Sequence, residues 1–294
     1  MSLPVRRNVP LLDGFISFLE WIGPPGAPIL IFSHANGFNA STYKTLLQPL
    51  SAEFRIIAPD LRGHGETTLV TDSRLLPGWR AYRDDLLALL DRLAIAPDVL
   101  AGHSLGASAT LLAAAAKPDI GKALVLAEPV MATDQIAWKA WAGRLLGRSD
   151  KVVPLVAMTI KRRDSFKARE DAAKGFTGRG AFKTWPAQMV TDYVETGLVP
   201  AGDAFRLACR PQWEAANYAV YPFHMDRLGS RVTVPISVLV GTVGSATADP
   251  VLQGFMRRHG KTRLVPVGGA SHFLPMEFPD LFRAEIRRAA GLSA

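Results

Sequence analysis

Residues 97–112, PDVLAGHSLGASATLL, constrain this chain more than any other stretch. An apolar run (Val99, Leu100, Ala101) enters Gly102-His103-Ser104-Leu105-Gly106 and an alanine-rich run leaves it, so strand, sharp turn and helix follow within a few residues. The glycines on either side of Ser104 allow strand and helix to approach closely, while the serine takes a strained backbone conformation that presents Oγ outward. A helix beginning just after Ser104 aims free N–H groups and its dipole at the same point, so an oxyanion formed there would be held by the N–H of Leu105. Between a strand and a helix, G-x-S-x-G reads as a nucleophile elbow rather than as an ordinary glycine-flanked turn.

The rest of the chain alternates strand and helix patterns around this point. Residues 14–21 read as a strand, and Gly-Pro-Pro-Gly at 23–26 as the turn of a hairpin into the buried strand 28–32. A short helix capped by Ser41, a strand at 54–58 and an amphipathic helix at 79–93 lead to the elbow. Residues 122–127 form another buried strand that ends at Glu128-Pro129. From 131 to 231 the alternation stops in favour of helical patterns, and it resumes with strands at 235–240 and 262–267 and helices at 250–259 and 278–290. The expected fold is α/β: a mostly parallel central sheet with helices on both faces, plus a helical cap inserted after the strand ending at Glu128. The core would comprise 1–130 and 232–294, and the cap 131–231. Ligands in such sheets sit at the carboxyl ends of the strands.

Composition narrows the function. A chain of 294 residues that is 48% hydrophobic can bury a large core. The single cysteine, Cys209, excludes an internal disulfide, and the first residues lack the apolar core of a signal peptide, so a cytoplasmic location is expected. No apolar run is long enough to span a membrane. The net charge of +8 is dispersed apart from Lys161-Arg162-Arg163 and Arg283, Arg287 and Arg288, which suits solvated helix faces better than nucleic-acid or membrane binding. An anionic substrate or carrier is the more specific alternative. No histidine pair has the spacing of a zinc site, and neither a phosphate loop nor a dinucleotide fingerprint is present, so no metal or cofactor is expected.

With SHANGF after one strand, PDLRGHG after the next, GHSLGA at the elbow and GGASHF near the end, the chain resembles the α/β-hydrolase superfamily of the kind carrying a helical cap. The resemblance covers about 14–130 and 232–290. Weaker similarity to uncharacterised bacterial hydrolases and fungal toxin-biosynthesis hydrolases lies in Arg162 to Phe166 and Lys183-Thr184-Trp185.

A serine hydroxyl needs a base, and His272, in the loop after the last strand, stands where the superfamily places its histidine. The commonest acid, an aspartate three residues after a glycine at the end of the penultimate strand, is replaced here by glycine in Gly241-Thr242-Val243-Gly244. Glu128 is the expected acid, a position some members of the superfamily use. Asp249 is the alternative, although as helix N-cap it has a structural role of its own. The resemblance makes the backbone N–H of Asn36, in His34-Ala35-Asn36, the second oxyanion donor, and the Asn36 amide a candidate to orient substrate or water. Haloalkane dehalogenases are similar in this stretch, but their nucleophile is an aspartate, so Ser104 argues against that reaction. His34 and His64 are expected to brace loops and His103 to point away from Ser104; His224 lies at the end of the cap and His259 at a helix C-terminus, where a cation is favoured.

Trp138 and Trp185, among the cap aromatics, either line an apolar acyl pocket or pack the cap. The expected activity is hydrolysis of a small-molecule carboxylic ester through an acyl-enzyme. A thioesterase, lactonase or C–C bond hydrolase would use the same triad, and a receptor-like ligand-binding protein with weak hydrolysis is the reading from another class. Assembly into a homo-oligomer is left open.

Overall fold

The apolar runs that are continuous in sequence are buried on both faces, because successive side chains of a strand point to opposite sides. The computed structural model describes residues 2–292. Its first strands are β1 (Val5–Leu11), β2 (Gly14–Trp21), β3 (Ile29–Ser33), β4 (Arg55–Pro59), β5 (Val99–His103) and β6 (Ala123–Ala127), joined by the helices α1 (Lys44–Leu47), α2 (Arg80–Leu93) and α3 (Leu105–Ala116). An inserted segment follows with α4 (Asp134–Leu145), α5 (Ser149–Val152), α6 (Pro154–Ile160), β7 (Ser165–Phe166), α7 (Arg169–Phe176), α8 (Ala187–Gly197), β8 (Leu198–Ala201), β9 (Ala204–Leu207) and α9 (Pro211–Tyr218). The chain then completes the fold with β10 (Ile236–Gly241), α10 (Asp249–Arg258), β11 (Thr262–Val267), α11 (Leu274–Glu277) and α12 (Pro279–Ala289).

The main sheet has the order β1-β2-β4-β3-β5-β6-β10-β11. Every pairing from β4 to β11 is parallel, and β1 and β2 add an antiparallel edge. On one face Leu30, Phe32, Val99 and Ala101 pack with Leu46 of α1 and Phe282 and Ile286 of α12. On the other, Ile31, Leu100, Leu124 and Leu126 pack with Leu86 and Leu89 of α2, Leu111 of α3 and Phe255 of α10. Alternate residues of one strand thus feed two apolar layers, and the protein is the mostly parallel α/β fold that the sequence pattern implies.

Several local expectations are corrected. The strand at 14–21 does not form a hairpin with the strand after the Gly-Pro-Pro-Gly turn; it pairs with β1 on one side and β4 on the other. The sequence concealed β1 because Arg6, Arg7, Asn8 and Pro10 break its apolar alternation, which an edge strand tolerates. Asn39, not Ser41, caps the turn before α1: its Oδ1 accepts the Thr42 N–H, and Thr42 Oγ1 accepts the Asn39 N–H in return. Asp249 lies one residue inside α10 and makes no cap bond; at that position its charge favours the helix dipole instead. The inserted segment also contains a three-stranded antiparallel sheet, β7-β9-β8, where only helices were expected. Among the described residues, no helix is long and apolar enough to cross a membrane.

The junction of β5 and α3 is tightly closed. Ser104 has φ +55° and ψ −119°, a conformation L-residues rarely adopt. A Cβ on Gly106 would come within 2.2 Å of the Ser33 carbonyl oxygen and 2.4 Å of that of His34. Backbone cannot yield as a side-chain end can, so Gly106→Ala should lose about 2 kcal/mol or more of unfolding free energy in urea titration. An unchanged midpoint would mean that α3 does not press on the end of β3.

Candidate active site

Three strand ends deliver the central side chains. Ser104 follows β5, Glu128 follows β6 at φ +49°, and His272 sits in the loop after β11. Ser104 Oγ is 2.9 Å from His272 Nε2, and His272 Nδ1 is 3.1 Å from Glu128 Oε2. With the proton on Nδ1, His272 donates to Glu128 and its free Nε2 accepts from the serine hydroxyl, the orientation a general base needs. Asp249 is exposed on α10 and is not part of this arrangement.

Glu128 is fully buried yet well supplied with donors. Gly241 N–H reaches Oε1 at 2.6 Å, and the Ser245 hydroxyl and Ala246 N–H both reach Oε2 at 2.9 Å. Burial raises the carboxyl's pKa, but the His272 hydrogen bond, these N–H groups and the charge of His272 outweigh it and hold the pKa below the ordinary glutamate value. The loop that lacks the usual aspartate instead offers its hydroxyl and backbone to a glutamate from the neighbouring strand.

Leu105 is the first residue of α3, so its N–H has no carbonyl one turn earlier to donate to. Around Asn36 the other N–H groups are occupied: Ala35 donates to Tyr43 Oη, Gly37 to His64 Nε2 and Phe38 to the Ala35 carbonyl. Both Leu105 and Asn36 line the same cavity as Ser104 and His272. The Asn36 amide is otherwise engaged, with Nδ2 donating to the Glu214 carbonyl and Oδ1 accepting from Asn217 Nδ2. It braces the loop, which corrects the expectation that it orients a substrate.

The cavity measures about 620 Å³, within the usual range for small-molecule sites. Its wall is mainly apolar, including Leu155, Met158, Phe176, Phe182 and Phe273. Arg162 and Glu214 enter it as an ion pair, and Arg179 also borders it. Burial pushes the Glu214 carboxyl up against the pull of Arg162. Trp138 does not line the cavity: it is 56% exposed and packs on Trp141 and Phe223. Trp185 stands behind the wall, with its ring on Phe38, Phe182 and Phe273.

A sequence profile of the alpha/beta hydrolase family matches residues 30–285. The chain belongs to this family. It is 25% identical over 261 residues to a 2-(acetamidomethylene)succinate hydrolase of Mesorhizobium japonicum, covering 86% of this chain and 84% of that one. It is 35% identical over 115 residues to an esterase of Mycobacterium tuberculosis, a match covering 39% of this chain and 37% of that esterase. In fold it is similar to a thioesterase domain from the curacin biosynthetic pathway, with a TM-score of 0.76, 17% identity and coverage of 97% and 99% of the two chains.

Two features of this hydrolase were not legible in sequence. Tyr43 Oη donates to His103 Nδ1 at 2.7 Å, and His103 Nε2–H donates to the His272 carbonyl at 2.7 Å. With Ala35 N–H on the same Tyr43 oxygen, one chain of hydrogen bonds ties the Asn36 loop to the backbone of His272. His103 does point away from Ser104, as its strand position implies, but it points at the loop that carries His272. The second feature is Asn217 of α9, whose Oδ1 accepts from Tyr82 Oη at 2.7 Å while its Nδ2 holds Asn36. No local motif announces either partner, because each contact joins distant parts of the chain.

His34 and His64 brace the loops as expected. His34 donates from Nδ1 to the Ala35 carbonyl and accepts the Leu61 N–H on Nε2; His64 donates from Nδ1 to the Arg62 carbonyl and accepts the Gly37 N–H on Nε2. Burial lowers their pKa values to about 4 and about 3, with the His34 charge adding to the effect at His64. Burial, then the charge of His272, takes His103 well below its ordinary value. Such groups are protonated in the unfolded chain before the folded one, so their stabilisation is complete above the unfolded pKa of about 6.5 and declines as pH falls toward the folded values. Urea midpoints should therefore fall steadily from about pH 6.5 to 5, before most carboxylates titrate, and a flat profile there would contradict the neutral buried imidazoles.

Tyr43→Phe leaves His103 Nδ1 and Ala35 N–H without their partner and should lower stability by about 1–3 kcal/mol in denaturant titration. A variant as stable as the parent would show that this chain of bonds carries no energy.

Proposed function

We propose that this hydrolase cleaves a small-molecule carboxylic ester through an acyl-enzyme on Ser104. The observation that carries the reading is the continuous hydrogen-bonded line from Ser104 Oγ through His272 to a buried, ionised Glu128. Ser104 Oγ attacks the carbonyl carbon as His272 Nε2 takes its proton, and the N–H groups of Leu105 and Asn36 receive the developing oxyanion. His272 then protonates the leaving alcohol. Water, deprotonated by the same nitrogen, adds to the acyl-enzyme and releases the acid and the free serine. Glu128 keeps the proton on Nδ1 and stabilises the imidazolium in each half-reaction.

The inserted segment acts as a cap whose apolar side chains accept the acyl group. The esterase among the relatives and the succinate-derivative hydrolase named above support hydrolysis of an acyl compound. Substrate enters as a free small molecule, and no metal or organic cofactor takes part in this mechanism.

Ser104→Ala should abolish both p-nitrophenyl butyrate turnover and labelling by a fluorophosphonate probe, and retained turnover overturns the reading. Glu128→Gln should lower kcat by about three to four orders of magnitude through loss of the correct tautomer, while Asp249→Asn should leave kcat within about twofold. The reverse ranking would move the acid to Asp249.

A further inference from the structure

A second cavity of about 660 Å³ lies beside the first, and its charge is one-sided. Five arginines line it: Arg80 and Arg83 from the first turn of α2, Arg144 from the last turn of α4, and Arg227 and Arg231 from the turn preceding β10. Among the described residues, no aspartate or glutamate lines it. Arg83 pairs with Asp84 outside the lining, and His224, also in the wall, pairs with Asp134. Arg144 spends its guanidinium on two backbone carbonyls, those of Leu76 and Arg74, so its charge stays uncompensated. Arg80, Arg227 and Arg231 are exposed and their side chains make no ion pair or hydrogen bond among the described residues. Like charges gathered in one concavity repel each other, and a groove walled by protein strengthens their joint field. A surface shaped only for solubility would intersperse acids.

Guanidinium groups converging from three elements match an anion with several oxygens, and the arginine fork suits phosphate. The same groove is lined by Trp141, 48% exposed, and by Phe223, two aromatic side chains beside the cations. Stacking against an aromatic face is how an organic ring is held next to bound phosphates. Trp79 and Tyr221, with ring centroids 5.9 Å apart, line both this groove and the Ser104 cavity.

We propose that this groove binds the phosphates of a nucleotide-class organic polyphosphate, with the base against Trp141 and Phe223. Binding stands independently of the hydrolytic reading. Two sources share this chemistry: a free nucleotide, or the nucleotide end of an acyl-thioester carrier whose acyl end enters the Ser104 cavity. The second source rests on the proposed function. In that case Ser104 Oγ displaces the carrier sulfur, the C–S bond breaks, the thiol leaves with the proton held by His272, and water releases the acyl group as a carboxylic acid.

The test is calorimetric titration of the full chain with ADP and with pyrophosphate. ADP should bind saturably, more tightly than pyrophosphate because of the stacking surface, and at least about tenfold more weakly at 500 mM than at 50 mM NaCl. The variant Arg227→Gln/Arg231→Gln removes two side chains without intramolecular partners, so its thermal midpoint should match the parent's, and it should weaken ADP by at least about tenfold. Absence of saturable ADP binding to the parent, or equal binding to the variant, overturns the proposal.

Turnover of butyryl-coenzyme A against butyryl-N-acetylcysteamine separates the sources. A preference for the nucleotide thioester that disappears in the variant assigns the groove to a substrate carrier. Equal turnover with ADP still bound assigns it to a free nucleotide. Ester turnover with neither thioester cleaved assigns the groove to a free nucleotide, whereas failure of Ser104 to take the fluorophosphonate label or to turn over p-nitrophenyl butyrate sinks the hydrolytic reading and leaves ADP binding to decide the groove.

Discussion

The close approach of α3 to the carboxyl end of β3 is the constraint from which the site follows. Gly106 has room for no side chain because the Ser33 and His34 carbonyl oxygens occupy that space. This contact brings the first N–H of the helix beside the loop that carries Asn36, and the abrupt turn it demands is made by Ser104 at positive φ. Backbone strain at one residue is therefore the geometric consequence of packing a helix end on a neighbouring strand end. The same strain presents the hydroxyl to the cavity.

Around that junction, buried polar groups are joined end to end. Glu128 tolerates full burial because four donors meet its two oxygens. His103 and Tyr43 connect the Asn36 loop with the backbone of His272, while His34 and His64 satisfy loop amides that would otherwise lose hydrogen-bond partners on burial. All three histidines work as neutral hydrogen-bond relays, in contrast to His272, which alone faces both a hydroxyl and a carboxylate. The chemistry is thus set by surroundings, not by residue type.

The inserted segment contributes in two ways. Its α9 grips the Asn36 loop through Asn217 and the Glu214 carbonyl, coupling the cavity wall to that loop. Its aromatic residues divide between the cavity wall and the exterior: Phe176 and Phe182 face the cavity, Trp185 backs them, and Trp138 lies outside. Tryptophan content alone could not make that division, since helices with weak amphipathic patterning do not declare which face they bury.

By itself the sequence determined the order of the core elements and singled out Ser104 and His272, while it left the acid open between Glu128 and Asp249; the 3.1 Å contact of Glu128 with His272 belongs to the tertiary structure. Continuous apolar runs, a glycine-flanked serine between strand and helix, and a charged residue ending a buried strand are all local signals. It also showed that the usual aspartate position holds glycine. Only the tertiary structure decided that β2 joins β1 and β4, that Tyr43 and Asn217 support the site, and that five dispersed arginines share one groove. These depend on contacts between residues tens to well over a hundred positions apart, where pairing is settled by packing and hydrogen-bond satisfaction and leaves no periodicity in the chain.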